Sequence, residues 1–295
     1  MPFRETRRNT DAEKASEDGD ETRYSSDLHH PLYKSLCTDY HAGKEGTKWE
    51  GTNDESAYHL SCLFAQYLNY NFGRSSNREV ILVGHSLGGI IMRETLFQMQ
   101  EHAGQSPFPD TIGHVTKAIT FNTPHGGPHR TLGRIACGGC KHSAEVDASS
   151  ELMQELRFHG RNPQTSAGFT EWTVIGSECD LVMRPNNSID MDASHAIVYP
   201  KEGLLTCYDH SKALHDANLK RDANQFYCDT DNPVNSPCGT DYRKTGNTRW
   251  NKTGSGRHGL SQLYYSITGG AERAGSSRRL WLLSTTVTAW ALLRR

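Results

Sequence analysis

The chain has no excess of positive charge: across 295 residues, 32 Lys and Arg stand against 34 Asp and Glu, a net charge of −2. That balance removes the electrostatic footprint on which nucleic-acid binding depends, so no nucleic-acid partner is expected. Apolar residues are also scarce, at 35% with a mean hydropathy of −0.69. The core should therefore be small for the length. Much of the polar surplus lies in Met1–His30 and Asp229–His258; both read as poorly packed, and residues 1–30 as a disordered polar N-terminus. Those first thirty residues contain no apolar h-region and so no secretory signal in the sequence as given. The longest apolar run, Leu280–Leu293 between arginine pairs, falls short of the roughly 20 residues that span a bilayer. It reads as a frayed terminal helix or a tail without a fold of its own, so stable membrane insertion is not expected. No internal repeat is evident.

Cysteine is the exception to this scarcity. Eight are present (Cys37, Cys62, Cys137, Cys140, Cys179, Cys207, Cys228, Cys238), accompanied by two glycosylation-type triplets, Asn186-Asn187-Ser188 and Asn251-Lys252-Thr253. An even, high count of this kind favours an oxidising, extracellular compartment. Together with the absent signal, it implies that the true N-terminus was lost or wrongly assigned.

The most informative segment is Arg78–Arg93. A β-type run, Val80-Ile81-Leu82-Val83, passes through Gly84-His85-Ser86-Leu87-Gly88 into Gly89-Ile90-Ile91-Met92. This is the pattern of a nucleophile elbow: a serine on a sharp strand-to-helix turn holds its hydroxyl at the rim of the sheet, where bulky side chains two positions away would collide. Gly84 and Gly88 remove those collisions. The helix beginning after Ser86 aims its unpaired N–H groups at an oxygen that becomes negative during acyl transfer, and the N–H of Leu87 is one candidate oxyanion donor. His85 reads as a packing or hydrogen-bonding residue, since a base adjacent in sequence would point away from the hydroxyl.

Around the elbow, Leu36–Tyr40 reads as a short strand and Asp54–Asn71 as an amphipathic helix ended by Gly73. Val115–Phe121, Trp172–Ile175 and His195–Tyr199 read as further strands. Strands alternating with helices predict an α/β fold, a mostly parallel sheet with flanking helices and its site at the strands' C-terminal ends. An elbow serine needs an acid and a base that follow it in that order. Asp180, just past the third strand, is the candidate acid, with Asp190 and Asp192 as rivals. His210, just before a helix expected to begin at Ser211, is the candidate base, with His215 as its rival.

If the acid and base loops meet, Cys179 and Cys207 come within bridging reach, and a Cys179–Cys207 disulfide is expected. Cys228 and Cys238, ten apart around two prolines, should close a local loop. Cys137-Gly138-Gly139-Cys140 is a C-x-x-C without a second pair at zinc-finger spacing, so disulfides are favoured over a metal and no metal site is assigned.

With Gly84-His85-Ser86-Leu87-Gly88-Gly89, Thr123-Pro124-His125-Gly126-Gly127, Cys179-Asp180 and Asp209-His210, the chain resembles the α/β-hydrolase superfamily, in particular secreted lipases and esterases. The resemblance implies a serine ester hydrolase acting on small-molecule or lipid esters through an acyl-enzyme, without cofactor. Ser86 would be the nucleophile, Asp180 the orienting acid and His210 the base. The hydrolase domain would run over residues 31–268, with 128–170 as a candidate cap, whose apolar Leu152, Met153, Leu156 and Phe158 could equally be ordinary helix-packing positions, and 269–295 as a tail of unassigned fold. One departure stands out. Such enzymes place a strand ending in His-Gly before the elbow, which gives the second oxyanion donor. Nothing from Met1 to Leu36 matches it, so the fold reads as N-terminally incomplete with an exposed sheet edge. The rival to an enzyme is a hydrolase-like binding protein with weak or no catalysis.

Overall fold

A computed structural model describes residues 56–73, 79–105, 107–128, 142–164, 169–201, 208–210, 223–233, 235, 237–244, 247, 249–256 and 289–293. The N-terminal segment, the Leu36–Tyr40 strand, Cys37, Cys137, Cys140, Cys207 and His215 lie outside them.

The first described helix, α1 (Ala57–Leu68), opens on Ser56, whose Oγ accepts from the N–H of Tyr58 at 3.2 Å. Ala57, Leu60, Ser61, Ala65 and Leu68 recur at helical spacing and are buried. One wider turn, Asn69–Gly73, finishes it. β1 (Glu79–His85) is buried along all five interior positions, the pattern of a strand covered on both faces. It leads into α2 (Leu87–His102), β2 (His114–Phe121), the short α3 (His142–Glu145), α4 (Glu151–Phe158), β3 (Glu171–Ser177), the one-turn α5 (Pro185–Ser188) and β4 (His195–Tyr199).

β1, β2, β3 and β4 pair in parallel and in chain order. β5 (Ala223–Asp229) and β6 (Asn251–Gly256) extend the β4 side as antiparallel strands, and β7 (Ala289–Leu293) pairs antiparallel with β1. The order across the sheet is β6-β5-β4-β3-β2-β1-β7. Alternate residues sort onto two faces, as the pleat dictates. Leu82, Ala118, Trp172, Val174, Ala196 and Val198 join the cluster that also contains residues of α1, α2 and α4. Ile81, Val83, Ile119, Phe121, Ile175 and Ile197 form a second cluster with Tyr199 and Tyr208. This is the expected α/β architecture, with a parallel centre and antiparallel flanks.

Three expectations change. Asp229–His258 is not poorly packed throughout: Cys238, Tyr242 and Trp250 belong to the main core, and a disulfide from Cys238 to Cys228 of β5 closes the first part of the connection between β5 and β6. The core there is built from a few aromatics and a cross-link, which average composition does not register. Residues 289–293 form a strand and not part of a terminal helix, and β7 occupies the edge of β1 that was expected to be open, opposite Val80–Gly84. In the 128–170 segment, left open between a cap and ordinary helix packing, Leu152, Met153 and Leu156 are buried packing positions and Phe158 is exposed. No helix among the described residues is long and apolar enough to cross a membrane.

Candidate active site

β1 stops where its backbone turns. Ser86 has φ 53° and ψ −129°, a conformation that side chains rarely adopt, held by its N–H donating to Phe121 O (3.0 Å) and its C=O accepting from Gly89 N–H (3.1 Å). The turn works because two chain segments touch there. A Cβ on Gly84 would lie 2.7 Å from Gly89 Cα, and one on Gly89 would lie 2.1 Å from Thr123 Oγ1. Gly84 thus plays its expected part. Gly89, which sequence spacing alone did not single out, is the second close approach. Gly88 is buried in the first turn of α2 beside Leu87, whose N–H belongs to the donors a helix cannot satisfy internally.

Asp180 lies three residues beyond β3, with its side chain fully buried. Its Oδ1 accepts from the N–H groups of Val182 and Met183, each at 2.8 Å, and its Oδ2 accepts from His210 Nδ1 at 2.7 Å. Three hydrogen bonds offset the cost of burying a carboxylate and fix which oxygen faces the imidazole. On the other side of the ring, His210 Nε2 lies 2.9 Å from Ser86 Oγ. With Nδ1 donating to Asp180, Nε2 is left as an acceptor for the serine hydroxyl. The structure therefore brings Ser86, His210 and Asp180 into one hydroxyl–imidazole–carboxylate chain, the arrangement that moves a proton off serine as it attacks. The rival carboxylates are engaged elsewhere: Asp190 pairs with Arg157 at 3.2 Å and Asp192 with Arg161 at 2.9 Å.

Several supporting residues were not apparent from spacing. Tyr208, two before the histidine, is buried against Tyr199 with ring centroids 4.9 Å apart, which ties the segment carrying His210 to the sheet. Glu178, two before Asp180, accepts from Tyr242 Oη (2.7 Å), Arg243 Nε (2.5 Å) and Nη2 (2.6 Å), and the N–H of Lys201 (2.9 Å). Burial would raise its carboxyl, yet the Arg243 hydrogen bond and these other donors hold it down at about 2. In the Thr123–Gly127 loop, His125 is wholly buried, its Nε2 2.9 Å from Thr120 Oγ1 and its Nδ1 3.4 Å from Arg93 Nη1. Burial first, and Arg93 second, push it well below the usual histidine range, so it is neutral. Arg93 donates to Leu156 O (2.7 Å) and Gly160 O (2.9 Å), closing the end of α4.

Cys179, beside the acid, is disulfide-bonded, as is Cys62; the expected partner Cys207 lies outside the described residues. Cys228 and Cys238 bridge each other, with Cα atoms 5.9 Å apart. Among the described residues, no three His, Cys, Asp or Glu side chains are grouped to hold a metal ion.

Residues 55–148, about a third of the chain, match the family described as the PGAP1-like alpha/beta domain. The match covers α1, the Ser86 elbow and the His125 loop but stops before Asp180 and His210. No curated protein and no solved structure gives a significant match to the chain. The matched family is one of the α/β-hydrolase-type, lipase- and esterase-like families, and the mostly parallel sheet with its helices is consistent with an α/β fold of that type.

Proposed function

We propose that this α/β-hydrolase-type domain is a serine hydrolase that cleaves carboxylic esters, lipid-like or short-acyl, through an acyl-enzyme on Ser86. The observation that carries this is the Ser86–His210–Asp180 chain, at 2.9 and 2.7 Å. Ser86 Oγ attacks the ester carbonyl while its proton passes to His210 Nε2, and Asp180 holds the tautomer and stabilises the imidazolium that forms. The carbonyl oxygen becomes an oxyanion that accepts from the N–H of Leu87 at the head of α2. Collapse breaks the ester C–O bond, and the leaving alcohol takes the proton from Nε2. Water repeats the sequence on the acyl-enzyme and releases the acid. The bridged cysteines further support residence in an oxidising, extracellular compartment.

A fluorophosphonate probe tests the first step, because it forms an Oγ–phosphorus bond with loss of fluoride only on an activated serine. The expected outcome is a single adduct on Ser86, absent in Ser86→Ala, together with hydrolysis of p-nitrophenyl esters. Labelling unchanged in Ser86→Ala would end the assignment. A second reading, a hydrolase-like binding protein with feeble turnover, draws on β7. A parallel strand beside β1 would end at the elbow and deliver a second oxyanion donor from its loop, whereas antiparallel β7 begins there, with Ala289 opposite Gly84. Loss of one donor costs on the order of 10²- to 10³-fold in rate, so measured turnover distinguishes the two.

A further inference from the structure

We infer that His85 is a positioning residue for the base: it grips the main chain of His210 so that the imidazole stands over the neighbouring serine. Because the grip serves the base, the proposal rests on the serine-hydrolase reading above.

His85 Nε2 lies 2.5 Å from the carbonyl oxygen of His210, and only a protonated ring nitrogen can donate to that acceptor. The two rings are tilted against each other with centroids 4.9 Å apart. The same carbonyl lies 3.5 Å from Asn122 Nδ2, which is equally close to Asp209 O. Asn122 sits at the end of β2 with a positive φ of 47° and is buried, its own N–H donating to Ile175 O at 2.8 Å. Two strand ends of the elbow thus present donors to one peptide carbonyl.

The consequence is a short closed ring of contacts. Ser86 hydrogen-bonds the imidazole of His210, and His85, its covalent neighbour, hydrogen-bonds the carbonyl of the same residue. Asp180 sets the tautomer and turns the ring, but it binds only the side chain. The main chain that carries the ring is anchored two residues earlier by Tyr208 on Tyr199, and at the carbonyl of His210 itself by His85, with Asn122 as a longer second donor. Proton transfer demands this: Nε2 must meet Oγ before attack and the leaving oxygen afterwards, and a displacement of about 1 Å costs on the order of 10²-fold.

The experiment is steady-state ester hydrolysis by His85→Ala, His85→Gln and His85→Asn, with thermal melting of each and fluorophosphonate labelling of the unaltered protein. A glutamine amide nitrogen reaches about as far as Nε2, and an asparagine amide falls one bond short. The expected result is a kcat lowered roughly 10-fold in His85→Ala and His85→Asn with KM unchanged. His85→Gln should recover to within about 3-fold of the starting rate. If His85→Ala fails to fold, the Gln and Asn pair carries the comparison alone. Equal kcat in all variants, or His85→Gln as impaired as His85→Asn at equal Tm, overturns the grip while leaving the nucleophile intact. An unaltered protein with no label on Ser86 overturns the hydrolase reading, and the grip falls with it.

Discussion

At the C-terminal ends of the parallel strands, His210 lies between a carboxylate and a hydroxyl; at their N-terminal ends, His195 lies between two carboxylates. His195 opens β4, with Nε2 2.9 Å from Glu171 Oε1 at the start of β3 and Nδ1 2.8 Å from Asp229 Oδ1 at the end of β5. Lys117 of β2 adds a pair to Glu171 at 3.2 Å. Burial alone would lower this imidazole, but its hydrogen bonds to Asp229 and Glu171, and the charges of those carboxylates, raise it to about 9. Both ring nitrogens must then donate, so at neutral pH His195 has no lone pair with which to take a proton. His210 instead faces a hydroxyl on its second nitrogen, a group that can donate to a ring lone pair. The same side chain is a structural cation at one end of the sheet, and at the other it links a carboxylate to a hydroxyl, so the second partner makes the difference.

The sharpest way to break this contrast is to change the partner that fixes the tautomer of His210. In Asp180→Asn the amide must keep its oxygen toward the N–H groups of Val182 and Met183, which leaves its NH2 facing His210 Nδ1. That nitrogen then accepts, Nε2 carries the proton, and the serine hydroxyl has no acceptor. A loss in kcat of about 10⁴-fold is expected, with little change in melting temperature. Activity that survives Asp180→Asn would show that the acid is elsewhere.

Support for the acid loop comes from behind and should matter less. Glu178→Gln removes the charge that binds Arg243 and Tyr242, two residues upstream of Asp180. Because the Arg243 side chain is more than half exposed, solvent screens the pair, and a fall of about 2–4 °C in Tm is expected. The sign with pH follows from a folded carboxyl at about 2 against 4.5 ordinarily. The contribution is complete above pH 4.5 and fades as pH falls toward 2, so the variant and the unaltered protein should converge in acid. Hydrolysis should drop only a few-fold, on the order of 3-fold, since Asp180 keeps its own three hydrogen bonds. A Tm gap that persists at pH 2 would show that the clamp holds by packing and not by charge.

What could be read from the chain without a structure follows how local each signal is. The elbow needs only consecutive residues: Val80–Val83 makes a strand buried on both faces, and Gly84 admits the crossing of α2. Asp180 was legible as an aspartate in the loop directly after an apolar strand, although Glu178 lies nearer the strand's end. Gly89 was not, because what demands it is Thr123, 34 positions away and brought there by the parallel pairing of β1 with β2. β6 was hidden for a related reason: Asn251-Lys252-Thr253-Gly254-Ser255-Gly256 has no apolar alternation and is a strand only by virtue of pairing with β5. Residues 289–293 offered an apolar run compatible with helix or strand, and pairing with β1 decided it. The aromatic contacts of Tyr242 with Phe226 and Trp250, at 5.3 and 5.9 Å, have no periodicity at all.

The smallest expected effect sharpens the comparison from the other end of the sheet. His195→Gln leaves Ser86, His210 and Asp180 untouched, so ester hydrolysis at pH 7 should be unchanged while stability changes with pH. The folded imidazole titrates at about 9 against 6.5 ordinarily, so its contribution is complete below pH 6.5 and is lost as pH rises through 9. Glu171 runs the opposite way: its hydrogen bond from His195 holds it below 4.5, so its share is lost as pH falls below that value. The Tm difference between unaltered protein and variant should therefore peak between pH 4.5 and 6.5 and close by about pH 9. Added salt should shrink it, because His195 and Asp229 are partly solvent-exposed. A difference that stays constant from pH 6 to 10 would mean that His195 is held neutral, and the contrast between the two histidines would then lie in position alone and not in charge.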